Sequence, residues 1–285
     1  MQANNDLANR LSFKQIPVLP PGVSILFKTL TDDSIGFIEL AGIIEKFPSI
    51  AARLIAVANS SWSSPVTPIT SLEMACSRLG FDVVRSTSIA LAVAAPFDSN
   101  RCPAFNAKYF WTTALLAADA TSWLSIGCKS IQAELPTVRT AGLIHNLGLL
   151  LLADQLADEV HAAIKLAEES EDLSLSDALL YIIGFDHLDA GLLLGKAWRF
   201  PEPLVEAMSG YAVEKNGELP AGEIASIVGL AVSMIQSLQY SRRPWSIPQV
   251  QLERLQIQPA DASKVFERLS EQLTHIQEMA DTLFR

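Results

Sequence analysis

Hydrophobic residues recur at three- and four-residue steps along most of this chain, and this period constrains the fold more than any other feature. Leu40, Ala41 and Ile44, for example, share one face of a predicted helix. Residues 83–95 are apolar on nearly all sides, which predicts a helix in the middle of the core. No run of alternating β-branched residues bounded by hairpin turns interrupts the pattern. We therefore expect an all-α, multi-helical fold.

The composition indicates a globular protein. Hydrophobic residues make up 49% of the 285 positions and charged residues 18%, so burial can offset the entropy of ordering the chain. The longest apolar stretches, at 89–97 and 147–153, are much shorter than the roughly 18 residues that span a membrane. The first residues lack the basic start and apolar run of a secretory signal. We expect a cytoplasmic protein.

Charge and cysteine content exclude several kinds of partner and site. The formal net charge of -10 opposes binding to nucleic acid or to an anionic membrane, because basic residues supply most non-specific affinity for phosphates. Cys76, Cys102 and Cys128 are too few and too widely spaced for a disulfide framework or a Cys-x-x-Cys zinc site. We expect them to be small buried hydrophobic residues.

Three segments are predicted from the changes in pattern. The Pro-, Ser- and Asn-rich stretch at 98–103 separates an N-terminal helical subdomain, 1–100, from a second helical subdomain, 101–212. The remaining residues, 213–285, carry a last pair of amphipathic helices. We expect these helices to pack back onto the two subdomains, and the alternative is that the terminal stripe forms a dimer seam or contacts a partner.

Local signals place several helix ends. Thr70 and Glu73 have capping-box spacing, and Asp186 is predicted to cap a helix with Asp189 three residues on. After the Pro-Thr step at 136–137 the apolar pattern predicts one continuous helix through Leu152.

An ordered series of short motifs resembles the HDOD family, the HD-related output domains of bacterial signalling proteins. The series extends from about residue 16 to residue 211, and its order is more specific than any one motif. The resemblance implies an N-terminal helical subdomain packed on an HD-like helical subdomain. The motifs are Leu-Pro-Pro at 19–21, Phe-Pro-Ser-Ile-Ala-Ala-Arg-Leu at 47–54, Ala-Asn-Ser at 58–60, Leu-Gly at 79–80, Val-Arg at 84–85, Ala-Gly-Leu-Ile-His-Asn-Leu-Gly at 141–148, Asp-His at 186–187 and Pro-Glu-Pro-Leu-Val-Glu-Ala at 201–207.

The same resemblance indicates a degraded metal site. An HD phosphohydrolase needs a first histidine, an adjacent His-Asp pair and a further carboxylate around a divalent metal that activates water. Here Asn146 stands at the aspartate of the pair and removes its negative charge, and Thr112 and Thr113 stand where the first histidine is expected. Where many relatives carry a His-His step, residues 209–211 are Ser-Gly-Tyr.

The remaining candidates form a remnant cleft of His145, Asn146, Asp186 and His187. If any metal binds, His145 and His187 are its candidate ligands, since His161 and His275 lie outside the family's ligand positions. We expect His145 to be a core histidine held by a buried hydrogen bond. His187 is expected to be a residue of a first helical turn, and Asp186 a helix cap. We therefore assign no catalytic residue and expect no cofactor.

Two functions of different kind fit these residues. The first is a non-catalytic output module that passes a signal to a protein partner, as in response-regulator-type signalling, with no nucleic acid or membrane involved. The alternative is a phosphohydrolase that acts on a nucleotide or phosphoester with Mn or Mg held by His145, His187 and either Asp186 or Asp119. Sensing of a small ligand in the same cleft is a third hypothesis.

Overall fold

The computed structural model describes most of the chain and shows a helical protein. The described residues are 16–19, 22, 23, 26, 35–60, 63, 65–131, 135–170, 173–211, 222–240, 245, 246 and 248–284. Two predictions lie partly outside them: the Leu-Pro-Pro motif, at residues 20–21, and the three-segment division, at residues that include 1–15 and 213–221.

Within these residues the chain forms fourteen α-helices and one short 3-10 helix, and no strand, which confirms the all-α prediction. The helices are α1 (Phe37–Ile44), α2 (Pro48–Ala58), α3 (Leu72–Leu79), α4 (Phe81–Ala94), α5 (Ala107–Gly127), α6 (Leu135–Ile144), α7 (Leu147–Gln155), α8 (Ala157–Glu169), α9 (Leu175–Ile183), α10 (His187–Ala197), α11 (Glu202–Ser209), α12 (Glu223–Tyr240), α13 (Gln249–Leu255) and α14 (Pro259–Leu283), and the 3-10 helix is Ser99–Arg101.

Helix α4 lies in the middle of the core, as its sequence predicts. Every residue from Val84 to Val93 is buried, including the polar side chains of Arg85 and Ser86. The helix contacts α2 and α3 on one side and α5 and α6 on the other. It therefore joins the N-terminal helices to the helices that follow residue 101.

The C-terminal helix α14 packs along α5 in the opposite direction. Phe284, near its end, stacks on Trp111 in the first turns of α5 with ring centroids 4.2 Å apart. Arg268, in its first half, lies 3.9 Å from the ring centroid of Trp123, farther along α5. The helix also contacts α2, so it covers both earlier groups of helices. The three-segment division remains a prediction.

The apolar stretch at 135–155 differs from its prediction. It forms two helices, α6 and α7, because the chain breaks at His145 and Asn146, instead of one continuous helix. By length and composition, Leu135–Gln155 is the one stretch in the described part of the chain that could cross a membrane without a bend of more than 40°. Its 18-residue window has a mean hydropathy of 1.2, but 83% of that window is buried inside the protein. Burial of this kind is typical of a core helix in a globular protein.

Two further local predictions have different outcomes. The capping residue of α3 is Ser71, whose hydroxyl accepts a hydrogen bond from the Met74 N–H at 3.2 Å, so the prediction of Thr70 as the cap was wrong by one residue. The three cysteines are buried and free, as expected.

Candidate functional site

The junction between α6 and α7 carries His145, a buried histidine with 1% of its surface exposed. Its Nδ1–H donates a hydrogen bond of 2.7 Å to the Gly142 carbonyl, since a carbonyl oxygen can only accept. In the neutral ring this leaves the Nε2 lone pair free of a proton. Burial lowers the His145 pKa to about 4, so the imidazole is neutral at pH 7.

His187, the second candidate histidine, is the first residue of α10. Its Nε2 and the hydroxyl of Tyr211 share a hydrogen bond of 2.9 Å. Its Nδ1 is buried and has no partner among the described residues. Burial lowers the His187 pKa, and the neighbouring Asp186 carboxylate opposes that shift.

Asp186 caps α10, as predicted from its spacing to Asp189. Its Oδ1 accepts hydrogen bonds from the backbone N–H groups of Leu188 and Asp189 at 2.9 and 3.1 Å. The Asp189 carboxylate accepts from the Asp186 N–H at 3.2 Å, which completes a capping box. The Ser176 hydroxyl donates to Oδ2 of Asp186. Both carboxylate oxygens are therefore engaged at the start of the helix.

Asn146 and the two threonines supply no charge to the site. The Asn146 Oδ1 atom is buried without a hydrogen-bond partner in the described part of the chain. The Thr112 hydroxyl, on α5, is also buried and has no hydrogen-bond partner among the described residues. The Thr113 hydroxyl lies 3.0 Å from both the Tyr109 carbonyl and Oε1 of Gln239. No imidazole stands at this part of α5.

Asp119, the other carboxylate considered as a ligand, belongs to a different cluster. Its Oδ1 lies 2.5 Å from Nη2 of Arg139, and Nε of Arg139 donates to the Ser86 hydroxyl at 2.8 Å. These three residues join α5, α6 and α4. Burial raises the Asp119 pKa, and the Arg139 guanidinium opposes that shift. The ion pair therefore holds helices together.

The residue that sequence reasoning missed is Tyr211. Its ring stands edge-on to His145, with centroids 4.9 Å apart and an angle of 88° between the planes. It is 6% exposed and also contacts His187. The sequence carries one indirect signal, since Tyr211 belongs to the Ser-Gly-Tyr stretch that stands where many relatives have a His-His step.

These residues do not provide enough ligands to bind a divalent metal ion. Across the described ranges no group of three or more His, Cys, Asp and Glu side chains is placed to hold one. His145 and His187 are close, but one nitrogen of His187 is shared with Tyr211 and the carboxylate of Asp186 is engaged by its helix. Hard cations such as Mg²⁺ require anionic oxygen ligands, and the Asn146 amide is neutral.

The depressed pKa of His145 predicts that acid weakens the fold. In the unfolded chain the imidazole takes a proton near pH 6.5, whereas the folded site resists it until about pH 4. The stabilising contribution is therefore complete above pH 6.5 and is lost as the pH falls towards 4. Between about pH 7.5 and about pH 5 we expect a loss of roughly 2 kcal/mol in the free energy of unfolding, at about 1.4 kcal/mol for each pKa unit.

Urea unfolding at both pH values measures this loss, and the His145→Gln variant provides the comparison. Its unfolding free energy should fall less between the two pH values, whatever its stability at neutral pH. An equal fall in wild type and variant would contradict the assignment of the effect to His145.

Comparison with known proteins identifies the scaffold. The HDOD domain family model matches residues 16–212. Among solved structures, a candidate signal transduction protein from Marinobacter aquaeolei VT8 is 21% identical with a TM-score of 0.79, over 95% of this chain and 60% of that protein. This chain therefore spans less than two thirds of that relative's length. None of the curated proteins matches the chain significantly.

Two further solved structures match nearly end to end. An HDOD domain protein of unknown function from Geobacter sulfurreducens is 20% identical with a TM-score of 0.70, over 98% of this chain and 99% of that protein. A candidate phosphohydrolase from Shewanella amazonensis SB2B is 19% identical with a TM-score of 0.69, over 99% and 98%. At such identities the similarity establishes the fold and not the activity.

Proposed function

The chain belongs to the HDOD family, and we propose that it is a non-catalytic signalling module that acts through contact with a protein partner. The name of the Marinobacter relative, a candidate signal transduction protein, supports the signalling part of this proposal. A role does not follow from a shared fold, so the proposal depends on the chemistry of the site.

The observation that carries the proposal is the use of the polar groups at the site. The Nε2 atom of His187 is shared with the Tyr211 hydroxyl, and the Asp186 carboxylate caps α10. Asp119 is paired with Arg139. Apart from Nε2 of His145 and Nδ1 of His187, each of these ring nitrogens and carboxylates already has a partner among the described residues.

A metal-dependent phosphohydrolase with a reduced site is the second candidate. The name of the Shewanella neighbour, a candidate phosphohydrolase, favours it. Two neutral imidazoles and a neutral amide give a poor site for Mn²⁺ or Mg²⁺, because a hard cation needs anionic oxygen ligands to balance its charge. We therefore place this function second.

Metal analysis separates the two functions. Protein purified without a chelator should contain well below one Mn, Zn or Fe ion per chain. Addition of Mn²⁺ or Mg²⁺ should leave its melting temperature unchanged, because a ligand raises the melting temperature only by binding the folded state. Hydrolysis of a simple phosphoester should not exceed that of a His145→Gln/His187→Gln control with either metal. Near-stoichiometric metal with a raised melting temperature would overturn the proposal.

A further inference from the structure

A cavity of about 370 Å³ opens between the end of α5 and the first turns of α14. None of its lining residues belongs to the remnant cleft. Its volume lies at the lower end of the range for small-molecule sites. We propose that it binds a small amphipathic anion, which places its apolar body in the cavity and its acidic group against Arg268. This ligand site does not depend on whether the remnant cleft is catalytic.

Buried apolar side chains form the floor of the cavity. These are Leu124 on α5, Val265 on α14, and Ile257, which precedes α14. The chain before Ile257 is fixed to the end of α5, because the Cys128 thiol donates a hydrogen bond of 3.0 Å to the Leu255 carbonyl. The floor is therefore in position before a ligand binds, which lowers the entropic cost of binding.

Trp123 and Ile126 extend this apolar surface to the opening of the cavity. Ile126 lines the cavity and is 76% exposed, and Trp123 is half-buried. A ligand with an apolar body would remove part of both side chains from water, and this burial favours binding in proportion to the area covered. A purely polar ligand would gain nothing from this surface.

The opening also carries a cation without a counter-ion. The Arg268 guanidinium lies over Trp123, 3.9 Å from its ring centroid. Among the described residues it has no ion-pair or hydrogen-bond partner. Asp119 is near enough to be influenced by its charge, but that carboxylate is paired with Arg139. The guanidinium can therefore bind the acidic group of a ligand.

The other two charges of the lining cancel. Nζ of Lys264 lies 3.1 Å from Oδ1 of Asp261. The lining thus has one positive charge in excess, in a chain whose formal net charge is -10. Charge complementarity favours an anion over a neutral or cationic ligand of the same shape.

The cavity joins the matched family domain to the C-terminal helices. Trp123 and Leu124 lie within residues 16–212, whereas Ile257, Val265 and Arg268 follow them. A ligand in the cavity contacts both parts, so its binding should stabilise the packing of α14 against α5. Because the ligand binds the folded state, it should also raise the melting temperature.

Titration of the full chain with anilinonaphthalene sulfonate, an aromatic anion that fluoresces in apolar surroundings, tests the site. Wild type should show one saturable site per chain. Decanoate should displace the probe and raise the melting temperature, because it also combines an apolar body with an acidic group. Decylamine, the matched ligand of opposite charge, should do neither.

Two variants locate the binding. Gly127 lines the cavity, and a Cβ atom built on it would be in ordinary contact with Cβ of Asp261 at 3.8 Å, so Gly127→Leu should fold and fill the cavity. We expect it to weaken probe binding at least about tenfold. Arg268→Met keeps the stem over Trp123 but removes the charge, and should weaken binding about two- to fivefold, the range for exposed ion pairs. Arg268→Lys should bind nearly as tightly as wild type, and Lys165→Met, which removes an exposed cation on α8, should leave binding unchanged.

Circular dichroism establishes which variants fold, and a folded Gly127→Leu or Arg268→Met decides the outcome. Absence of saturable probe binding in wild type would overturn the proposal. So would equal displacement by decylamine, or binding by either folded variant as tight as in wild type. Dimers in wild type that Gly127→Leu dissociates would overturn it as well, since a second copy of the chain would then occupy the cavity.

Discussion

Replacing Arg139 by methionine is expected to lower the free energy of unfolding at pH 7 by about 3–5 kcal/mol, the range found when one member of a buried ion pair is removed. The guanidinium lies 2.5 Å from the Asp119 carboxylate, with the side chains 10% and 16% exposed. Methionine fills much of the volume but leaves the carboxylate buried without its counter-ion. The Ser86 hydroxyl loses its donor as well.

The expected loss depends on pH in a known direction. Burial already raises the Asp119 pKa, and removal of Arg139 takes away the charge that opposes this shift. A carboxyl whose folded pKa lies above its unfolded value stabilises the fold at low pH, and this contribution is lost as the pH rises. The deficit of Arg139→Met relative to wild type should therefore be larger at neutral pH than at acidic pH.

Urea unfolding of three variants provides the measurement. Arg139→Met/Asp119→Leu removes both charges and should recover most of the stability, because no unpaired charge remains. Lys165→Met, which breaks an exposed pair with Glu168, is the matched control and should change stability little. A loss in Arg139→Met no larger than in this control would show that the buried pair does not hold α4, α5 and α6 together.

A second large loss is expected from Gly148→Ala, because the first turn of α7 lies directly against α10. A Cβ atom on Gly148 would lie 2.0 Å from the His187 carbonyl oxygen and 2.4 Å from the Gly191 nitrogen. Both are backbone atoms, so a change of rotamer cannot relieve the clash. We expect a loss of at least about 3 kcal/mol, at the upper end of the cost of overpacking.

The same substitution at Gly42 is the control for Gly148. Gly42 lies in α1, and nothing stands within 4 Å of a Cβ atom built on it. Gly42→Ala should raise stability by about 0.5–1 kcal/mol, because alanine loses less backbone entropy in a helix. Thermal unfolding of both variants measures the difference, and similar midpoints would contradict the close approach of α7 and α10.

Gly148→Ala also bears on the remnant cleft. Movement of α10 away from α7 would shift His187 relative to His145, because His187 is the first residue of α10 and His145 lies two residues before the start of α7. We therefore expect the substitution to disturb the position of His187 as well as the stability of the fold.

The sequence by itself determined the features that depend on neighbouring residues. Helical period predicted an all-α protein and the central position of α4, and the spacing of Asp186 and Asp189 predicted a capping box, because each signal acts within one or two turns. The motif order indicated the family. The loss of charge at Asn146 could also be predicted, since it concerns one side chain.

Only the tertiary structure decided which polar groups meet. Tyr211 is 24 positions from His187, and Arg139 is 53 positions from Ser86. The hydrophobic period gives the helix face on which each residue lies. Which other helix packs against that face depends on the angles at which helices cross and on close approaches such as the one at Gly148. Helix-crossing geometry therefore gives His187 a hydrogen-bonded partner, Tyr211, that its place in the sequence does not indicate.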